Sequence, residues 1–361
     1  MGEEVQKVEA GARKAWPVVT SWVGGISAII GLFVTLGGGV TWFITHNKQK
    51  AELRDKMAVA QNQAAQGDYQ ASIQSYSDIL KDKALYPPAL DGQLSATMLW
   101  VENFHLVLHE GQNPAEVIAP SIDQIFILLD AGLARTKGTR AADVRAHIGW
   151  AHWLNQHIGE REFGPETEQN LRAALAADPS NVYANSMLGN WLLQNNGSVT
   201  EAAQDFNTAV ATGKVRPYVR SLQLAGLIDL DKPGARAELM KAVNEMRKAG
   251  EPLDRDRKKR VLEYCCEPML TDRKELVESL SAVPEDDTWK TYLWLDDQPA
   301  EGRDAADKRS MRDFIQANLF EISGDRDNAL TKYRAVKQEM SPFQDSLKSA
   351  VDAALVRLSA K

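Results

Sequence analysis

The sequence predicts an all-α protein in which one N-terminal membrane-spanning helix precedes a solenoid of stacked helical hairpins. Three observations carry this prediction: a long apolar segment near the N-terminus, helical stretches broken by Gly, Pro, Asn and Asp without an alternating strand pattern, and a turn-plus-helix pattern that recurs along the chain. One such unit cannot bury its apolar face alone, so consecutive units are expected to stack.

The composition is that of an ordinary globular chain. Of the 361 residues, 44% are hydrophobic and 25% are charged, and the formal net charge is -7. This acidic balance argues against a general nucleic-acid binder, because phosphate binding draws on a clustered basic surface. The two cysteines, Cys265 and Cys266, are adjacent, and no nearby histidine completes a metal-ligand set, so a buried structural role is expected for them. Stability must therefore come from helix packing.

The predicted membrane helix covers residues 16–45 and follows a short flank of residues 1–15. No Asp, Glu, Lys or Arg occurs between Lys14 and Lys48, and roughly 20 apolar residues suffice to cross the hydrocarbon core. The segment is longer than the apolar part of a cleaved signal peptide, and no A-x-A cleavage site follows it. The sequence therefore predicts a permanent single-pass anchor in contact with lipid.

Small residues recur at four-residue intervals in this segment, at Ser27, Gly31, Thr35 and Gly39. On a helix they form one stripe that allows a second helix to approach closely, which predicts a homo-oligomer through the membrane. The alternative is that glycine is simply common in membrane helices. Flanking Lys and Arg residues are nearly balanced and slightly favour a periplasmic soluble domain, whereas the unpaired cysteines favour the opposite orientation.

Three units after this segment share a turn followed by a helix with one apolar face. The turns contain Gly67-Asp68, Asn196-Gly197 and Gly324-Asp325. The apolar or small positions that follow are Ser72, Ile73, Tyr76 and Leu80 in the first unit, Ala202, Phe206, Ala209 and Val210 in the middle unit, and Ala329, Leu330, Tyr333 and Val336 in the last.

These units resemble the tetratricopeptide repeat, a helix-turn-helix unit of about 34 residues. The matching positions are Gly189, Ala202, Phe206 and Ala209 in the middle unit and Ala317, Ala329 and Tyr333 in the last, with Ala60 and Ser72 as small substitutes in the first. Weaker pairs surround Gly149 and residues 231–234, and residues 254–300 look helical but match poorly. The resemblance implies a solenoid over residues 56–342, entered through a linker at 46–55 and closed by an amphipathic capping helix at 343–361.

The resemblance also implies a partner-binding concave surface on the first helix of each repeat. The corresponding positions are Tyr183, Ser186, Asn190 and Gln194 in the middle unit and Phe314, Asn318 and Glu321 in the last. Asn190 and Asn318 match an asparagine that holds a peptide backbone or terminal carboxylate in some family members, but Ser186 and Phe314 stand where the accompanying lysine belongs. A neutral, extended ligand or a folded partner is therefore favoured, and the alternative is a set of merely solvated groove residues.

The sequence offers no catalytic set, metal site or cofactor loop. His105 and His109 lie four apart on a predicted helix but lack the rest of a zinc-protease motif, and His147, His152 and His157 are spaced so that they do not converge. The predicted function is a membrane-tethered scaffold or assembly factor, not an enzyme, similar in layout to bacterial single-span repeat proteins of the inner membrane. The alternative is a sensory or regulatory subunit whose solenoid detects a ligand and whose membrane helix oligomerises.

Overall fold

The computed structural model describes residues 47–105, 109–159, 164–265, 273–296, 303–340 and 344–360. Within these ranges every regular element is an α-helix, which confirms the all-α prediction. The predicted membrane helix at 16–45, with Ser27, Gly31, Thr35 and Gly39, lies outside the described residues. Contacts divide the chain into two compact units, Met1–Phe104 and His105–Lys361.

The helices are numbered in chain order. The first unit contains α1 (residues 47–65), α2 (Tyr69–Asp82) and α3 (Pro87–Glu102). The second unit contains α4 (Pro114–Arg135), α5 (Gly138–His157), α6 (Glu166–Ala177), α7 (Val182–Gln194), α8 (Val199–Ala211), α9 (Arg216–Leu227), α10 (Ala235–Ala249), α11 (Arg255–Cys265), α12 (Arg273–Leu280), α13 (Glu285–Leu295), α14 (Arg303–Ser323), α15 (Arg326–Glu339) and α16 (Asp345–Ser359).

In the first unit, α1 and α2 form the hairpin that the sequence predicts. Gly67 takes a left-handed conformation with φ +82°, which glycine adopts without steric cost, and the Asp68 carboxylate caps α2 by accepting a hydrogen bond from the Ala71 amide at 3.2 Å. The buried Ser72 hydroxyl donates to the Ala60 carbonyl at 2.8 Å. The two small substitutes therefore make the close helix contact expected of them.

In the second unit, the α7–α8 hairpin confirms the repeat register of the middle unit. A Cβ placed on Gly189 would lie 2.9 Å from the Phe206 ring and 3.1 Å from the Ala202 carbonyl oxygen, so only glycine fits. Gly149 of α5 meets α6 in the same way, because a Cβ placed on it would lie 3.0 Å from the Leu171 side chain. The helices in both hairpins thus touch through glycine.

Helix α4 is the one described helix that is long and apolar enough, by length and composition, to cross a membrane. A core helix of a soluble protein has the same length and composition when one face is buried. Ile118, Ile122 and Ile125 recur at helical spacing on the buried face of α4, which packs against α5, while Asp123 is exposed. This packing accounts for only part of the apolar character of α4, because Ile127 on the same helix is exposed.

Helices α9 to α13 pack less regularly than the hairpins before them. Helix α9 lies on α7, and α10 contacts both α12 and α13. Across the contact between α10 and α13, Arg247 pairs with Asp287 at 3.1 Å. At the end of α11, Cys265 is buried, and burial raises its pKa to about 12, so the side chain stays a neutral thiol. The predicted burial is confirmed for Cys265, and Cys266 lies outside the described residues.

The chain closes with the α14–α15 hairpin and α16. Ala317, Ala329 and Tyr333 are fully buried where α14 meets α15, as the repeat register predicts. Helix α16 packs against α15 and buries Leu347 and Val351 on its inner face, which places a helix where the capping helix is predicted.

Candidate functional site

The predicted partner-binding residues of α7 are mostly engaged inside the protein. The Ser186 hydroxyl is buried and donates to the Val182 carbonyl at 2.8 Å. Asn190 is also buried and donates from Nδ2 to the Leu222 carbonyl of α9 at 2.8 Å, so this side chain joins α7 to α9. Gln194 is exposed at the end of the helix. Contact of these residues with a partner stays a prediction.

Tyr183 lies in a row of rings contributed by three alternate helices, α5, α7 and α9. Its ring centroid is 4.6 Å from that of His147 on α5 and 6.3 Å from that of Tyr218 on α9. Tilted rings at these distances stabilise each other beyond the area they bury. Tyr183 therefore contributes to packing between consecutive units as well as to the half-exposed surface.

The three histidines of α5 do not converge, as their spacing predicts, but the other pair does not lie on the helix predicted for it. His147 contacts Tyr183, His152 contacts Phe126 at 4.6 Å, and His157 stacks on Trp153 at 4.5 Å, so the three rings face different neighbours. Contact with the surrounding apolar side chains lowers the pKa of His152 through desolvation. His105 and His109 lie outside the helices, so the helix predicted to carry both was wrong.

Two of the three predicted residues of the last repeat, in contrast, line a cavity. The cavity has a volume of about 480 Å³ and lies between α12, α14, α15 and α16, and we name it the C-terminal cavity. Phe314 and Asn318 line it, and Glu321 lies one helical turn beyond Asn318. Phe314 and Asn318 of the last repeat therefore border open space, whereas Ser186 and Asn190 of the middle unit are engaged inside the protein.

Glu321 sits at the centre of an ionic cluster beside this cavity. Arg357 of α16 donates from Nε and from Nη2 to its two carboxylate oxygens, both at 2.8 Å. Arg273 of α12 donates to the same carboxylate at 3.0 Å and also to Asn318 at 3.2 Å. The Tyr333 hydroxyl of α15 donates at 3.0 Å. Side chains from three helices thus converge on a carboxylate carried by a fourth, α14.

The electrostatics of the cluster favour charge on Glu321. Burial alone would raise the pKa of its carboxyl group, but the hydrogen bond from Arg357 and the positive charges of Arg273 and Arg357 outweigh burial and lower the pKa below its usual value. The Glu321 side chain is 9% exposed, whereas those of Arg273 and Arg357 are 38% and 35% exposed. Two partly exposed arginine side chains therefore share one carboxylate that is nearly hidden.

Apart from Asp345 at the start of α16, the rest of the cavity is lined mainly by apolar or small side chains. The Phe314 ring is buried and meets the Tyr333 ring edge-on, with centroids 6.0 Å apart. On the α16 side, Ser349 and Ala353 are exposed and face the cavity. Small side chains on one wall leave room for a bound chain to approach the helix backbone closely.

Two residues of this site were missed at the level of sequence. Arg273 follows a region that matches the repeat poorly, and Arg357 was assigned to the cap alone. The signal available for Arg357 was its position on α16 in line with Ser346, Ser349 and Ala353, at intervals of three or four residues. No comparable signal marks Arg273, because its partner Glu321 is 48 residues away in sequence.

Comparison with known proteins gives little beyond these contacts. No protein-family profile matches the sequence, and no curated protein matches it. The crystal structure of a tetratricopeptide repeat protein from Parabacteroides merdae is similar over 86% of this chain and 99% of that one, with 10% identity and a TM-score of 0.37. The contacts of Ala60, Gly149 and Gly189 show that the helices of these hairpins touch through small residues.

Proposed function

We propose that this chain is a membrane-tethered scaffold that holds a partner protein in the C-terminal cavity. The role is binding rather than catalysis. The observation that carries the proposal is the C-terminal cavity itself, which is lined by Phe314 and Asn318. Arg273 and Arg357, which hold Glu321, also line it, and each of these arginine side chains is about a third exposed. Helical hairpins of this kind supply a rigid surface, and a rigid surface binds at a lower entropic cost than a mobile loop.

The tether in this proposal is the apolar segment of residues 16–45. We expect the full-length chain to sediment with membranes and to be released by detergent but not by high salt. A variant that lacks residues 16–45 should remain in the supernatant. Retention of that variant on membranes would show that another part of the chain, such as the apolar helix α4, provides the attachment.

The proposal also gives the small-residue stripe of the tether a role in self-association. Close packing of Gly31 and Gly39 against a second copy would bring two scaffolds together. A transmembrane-association reporter that carries residues 15–46 should lose signal on Gly31→Ile and keep it on Leu32→Ile. Equal signals from both variants would leave the segment as an anchor alone.

Site-specific photocrosslinking tests the partner site. A photoreactive amino acid is placed at Ser349 or Ala353, which are exposed on the cavity side of α16, and at Lys348, which is exposed on the same helix but does not line the cavity. We expect the first two positions to capture the same protein from cells and Lys348 to capture none of it. Mass spectrometry identifies the captured protein. Equal capture at all three positions, or none at Ser349 and Ala353, would refute the proposed site.

A further inference from the structure

We infer that the C-terminal cavity accepts an extended segment of the partner that carries an acidic side chain, and that Glu321 holds the place of this carboxylate before the partner binds. The inference rests on the proposed function and adds the chemistry of the bound segment. It also changes the expectation of a neutral ligand, because that expectation took no account of Arg273 and Arg357.

The charge of the cluster favours an acidic ligand. Two guanidinium groups, Arg273 and Arg357, face one carboxylate, Glu321, which leaves an excess of one positive charge at this end of the C-terminal cavity. Each guanidinium has five N–H donors, and Arg357 uses its Nε and one Nη2 donor for Glu321. The planar fork of arginine matches a carboxylate geometrically, so a second carboxylate suits this end better than an amide or a hydroxyl.

The two arginine side chains are more accessible to an incoming ligand than the carboxylate that they hold. Glu321 is nearly hidden, whereas more than a third of each arginine side chain faces solvent beside the C-terminal cavity. An incoming carboxylate can therefore reach both guanidinium groups from the cavity side and compete with Glu321 for their donors. When Glu321 yields, the Tyr333 hydroxyl, 3.0 Å away, still gives its carboxylate a hydrogen bond.

The size and polarity of the C-terminal cavity suit a short extended segment with an acidic residue at one end. Asp345 and Arg357 both line it and lie twelve residues apart on α16, which corresponds to about 18 Å along the helix. An extended chain covers that distance with about five or six residues. Asp345 makes the far end acidic, so the bound segment should place its acidic residue toward Arg357 and not toward Asp345. Ser349 and Ala353, which lie between these two residues on α16, leave room for small or apolar side chains.

Fluorescence anisotropy with the purified full-length chain tests this inference. The probes are labelled six-residue peptides of alanine and valine, blocked at both ends, that carry Glu at the last position, Gln at the last position, or Glu at the first position. A fourth peptide ends in Gln with a free terminal carboxylate, which separates a side-chain carboxylate from a chain terminus. We expect the peptide ending in Glu to bind about tenfold more tightly than the blocked Gln peptide, since a hydrogen bond to a charged group is worth about that factor.

Variants of the protein complete the test. Arg357→Gln and Arg273→Gln should each remove the preference for Glu, and Glu321→Gln should increase the affinity for the Glu peptide. Lys337→Gln is the matched control, because Lys337 forms an exposed ion pair with Asp352 between α15 and α16 and does not line the cavity. Circular dichroism of each variant verifies that it is folded.

The outcomes separate the two proposals. Equal binding of the Glu and blocked Gln peptides, preference for the terminal carboxylate, or no peptide binding at millimolar concentration would overturn the inference. If crosslinking from Ser349 and Ala353 nevertheless captures one protein, the scaffold function stands and the cavity takes a segment of other chemistry. If crosslinking fails as well, both proposals fall.

Discussion

The α7–α8 hairpin and the region around Glu321 are both joined by close contacts, but the contacts differ in kind. In the hairpin, Gly189 has no side chain, so the backbone of α8 comes very close to α7. A Cβ atom added to Gly189 would lie 3.1 Å from the Ala202 carbonyl oxygen. Around Glu321, the long side chains of Arg357 and Arg273 bridge to it from other helices. These two arginines lie 36 and 48 residues from Glu321 in sequence. Backbone contacts tolerate only small residues at fixed spacing, whereas ionic contacts allow many spacings. The first kind is therefore sterically strict and the second adaptable.

The largest expected effect is a steric one in the hairpin, from Ala202→Leu. Ala202 is fully buried where α8 touches α7. Its backbone is already so close to Gly189 that an added Cβ there would lie only 3.1 Å from the Ala202 carbonyl oxygen, so α8 cannot move to make room for a larger side chain. Overpacking of this kind typically costs about 1 to 3 kcal/mol, and we expect the upper end. Urea unfolding of the purified chain measures the loss. Gln204→Leu, at an exposed position of the same helix, is the control and should change stability little.

The second effect is a pH dependence carried by Asp205 of α8. One carboxylate oxygen of Asp205 is buried without a hydrogen bond among the described residues. Burial, with a further contribution from the negative charge of Glu201, raises the pKa of Asp205 to about 6, and Arg172 offsets this only in part. Since the folded-state pKa lies above the unfolded-state value, ionised Asp205 destabilises the fold. The penalty is absent near pH 4 and complete above pH 6.

Asp205→Asn tests this sign. The variant should be more stable than the parent chain at pH 7.5, by about 1 to 3 kcal/mol, and the difference should shrink as the pH falls toward 4. Unfolding free energies of both proteins at several pH values measure it. Glu201→Gln serves as a control that removes a neighbouring charge without touching the buried carboxylate. A parent chain that loses stability as the pH falls from 7.5 to 5, while Asp205→Asn does not, would contradict the assignment.

The same difference between the two regions explains which features were predictable. The hairpin positions Gly189, Ala202 and Phe206 follow from the sequence because touching backbones demand small residues at fixed intervals, with one aromatic beside them. The ionic cluster does not follow from the sequence, because its members come from four helices and no local spacing relates Arg273 to Glu321. The burial of Asn190 was equally hidden, since it depends on the path of α9 and not on α7 itself.

A smaller effect is expected from Tyr333→Phe in the ionic cluster. The variant keeps the buried ring against Phe314 and removes the hydroxyl that donates to Glu321 at 3.0 Å. A hydrogen bond to a charged group contributes about 1.5 to 3 kcal/mol, but Arg273 and Arg357 continue to hold the carboxylate, so we expect a loss of about 1 kcal/mol. Urea unfolding measures it, and the effect should disappear in a Glu321→Gln background. An undiminished loss in that background would assign the effect to packing instead.

The smallest effect concerns two buried serines, one in the first hairpin and one in the last. Ser310 of α14 is fully buried, and its hydroxyl has no hydrogen-bond partner in the part of the chain that the structure describes. Ser72 of α2 is equally buried but donates to the Ala60 carbonyl at 2.8 Å. A buried hydroxyl without a partner carries its desolvation cost uncompensated, while a paired one recovers it.

Replacement of each serine by alanine should therefore give opposite results. Ser310→Ala removes an uncompensated polar group and should leave the unfolding free energy unchanged or raise it by up to about 1 kcal/mol. Ser72→Ala removes a hydrogen bond, leaves the Ala60 carbonyl with one partner fewer, and should lower the unfolding free energy by about 1 kcal/mol. Both changes delete the same atom from a fully buried site, so the volume effect is shared and the difference between the two variants reports the hydrogen bond alone. Parallel urea titrations give that difference, and an equal loss in both variants would mean that Ser310 pairs with a group in the folded protein.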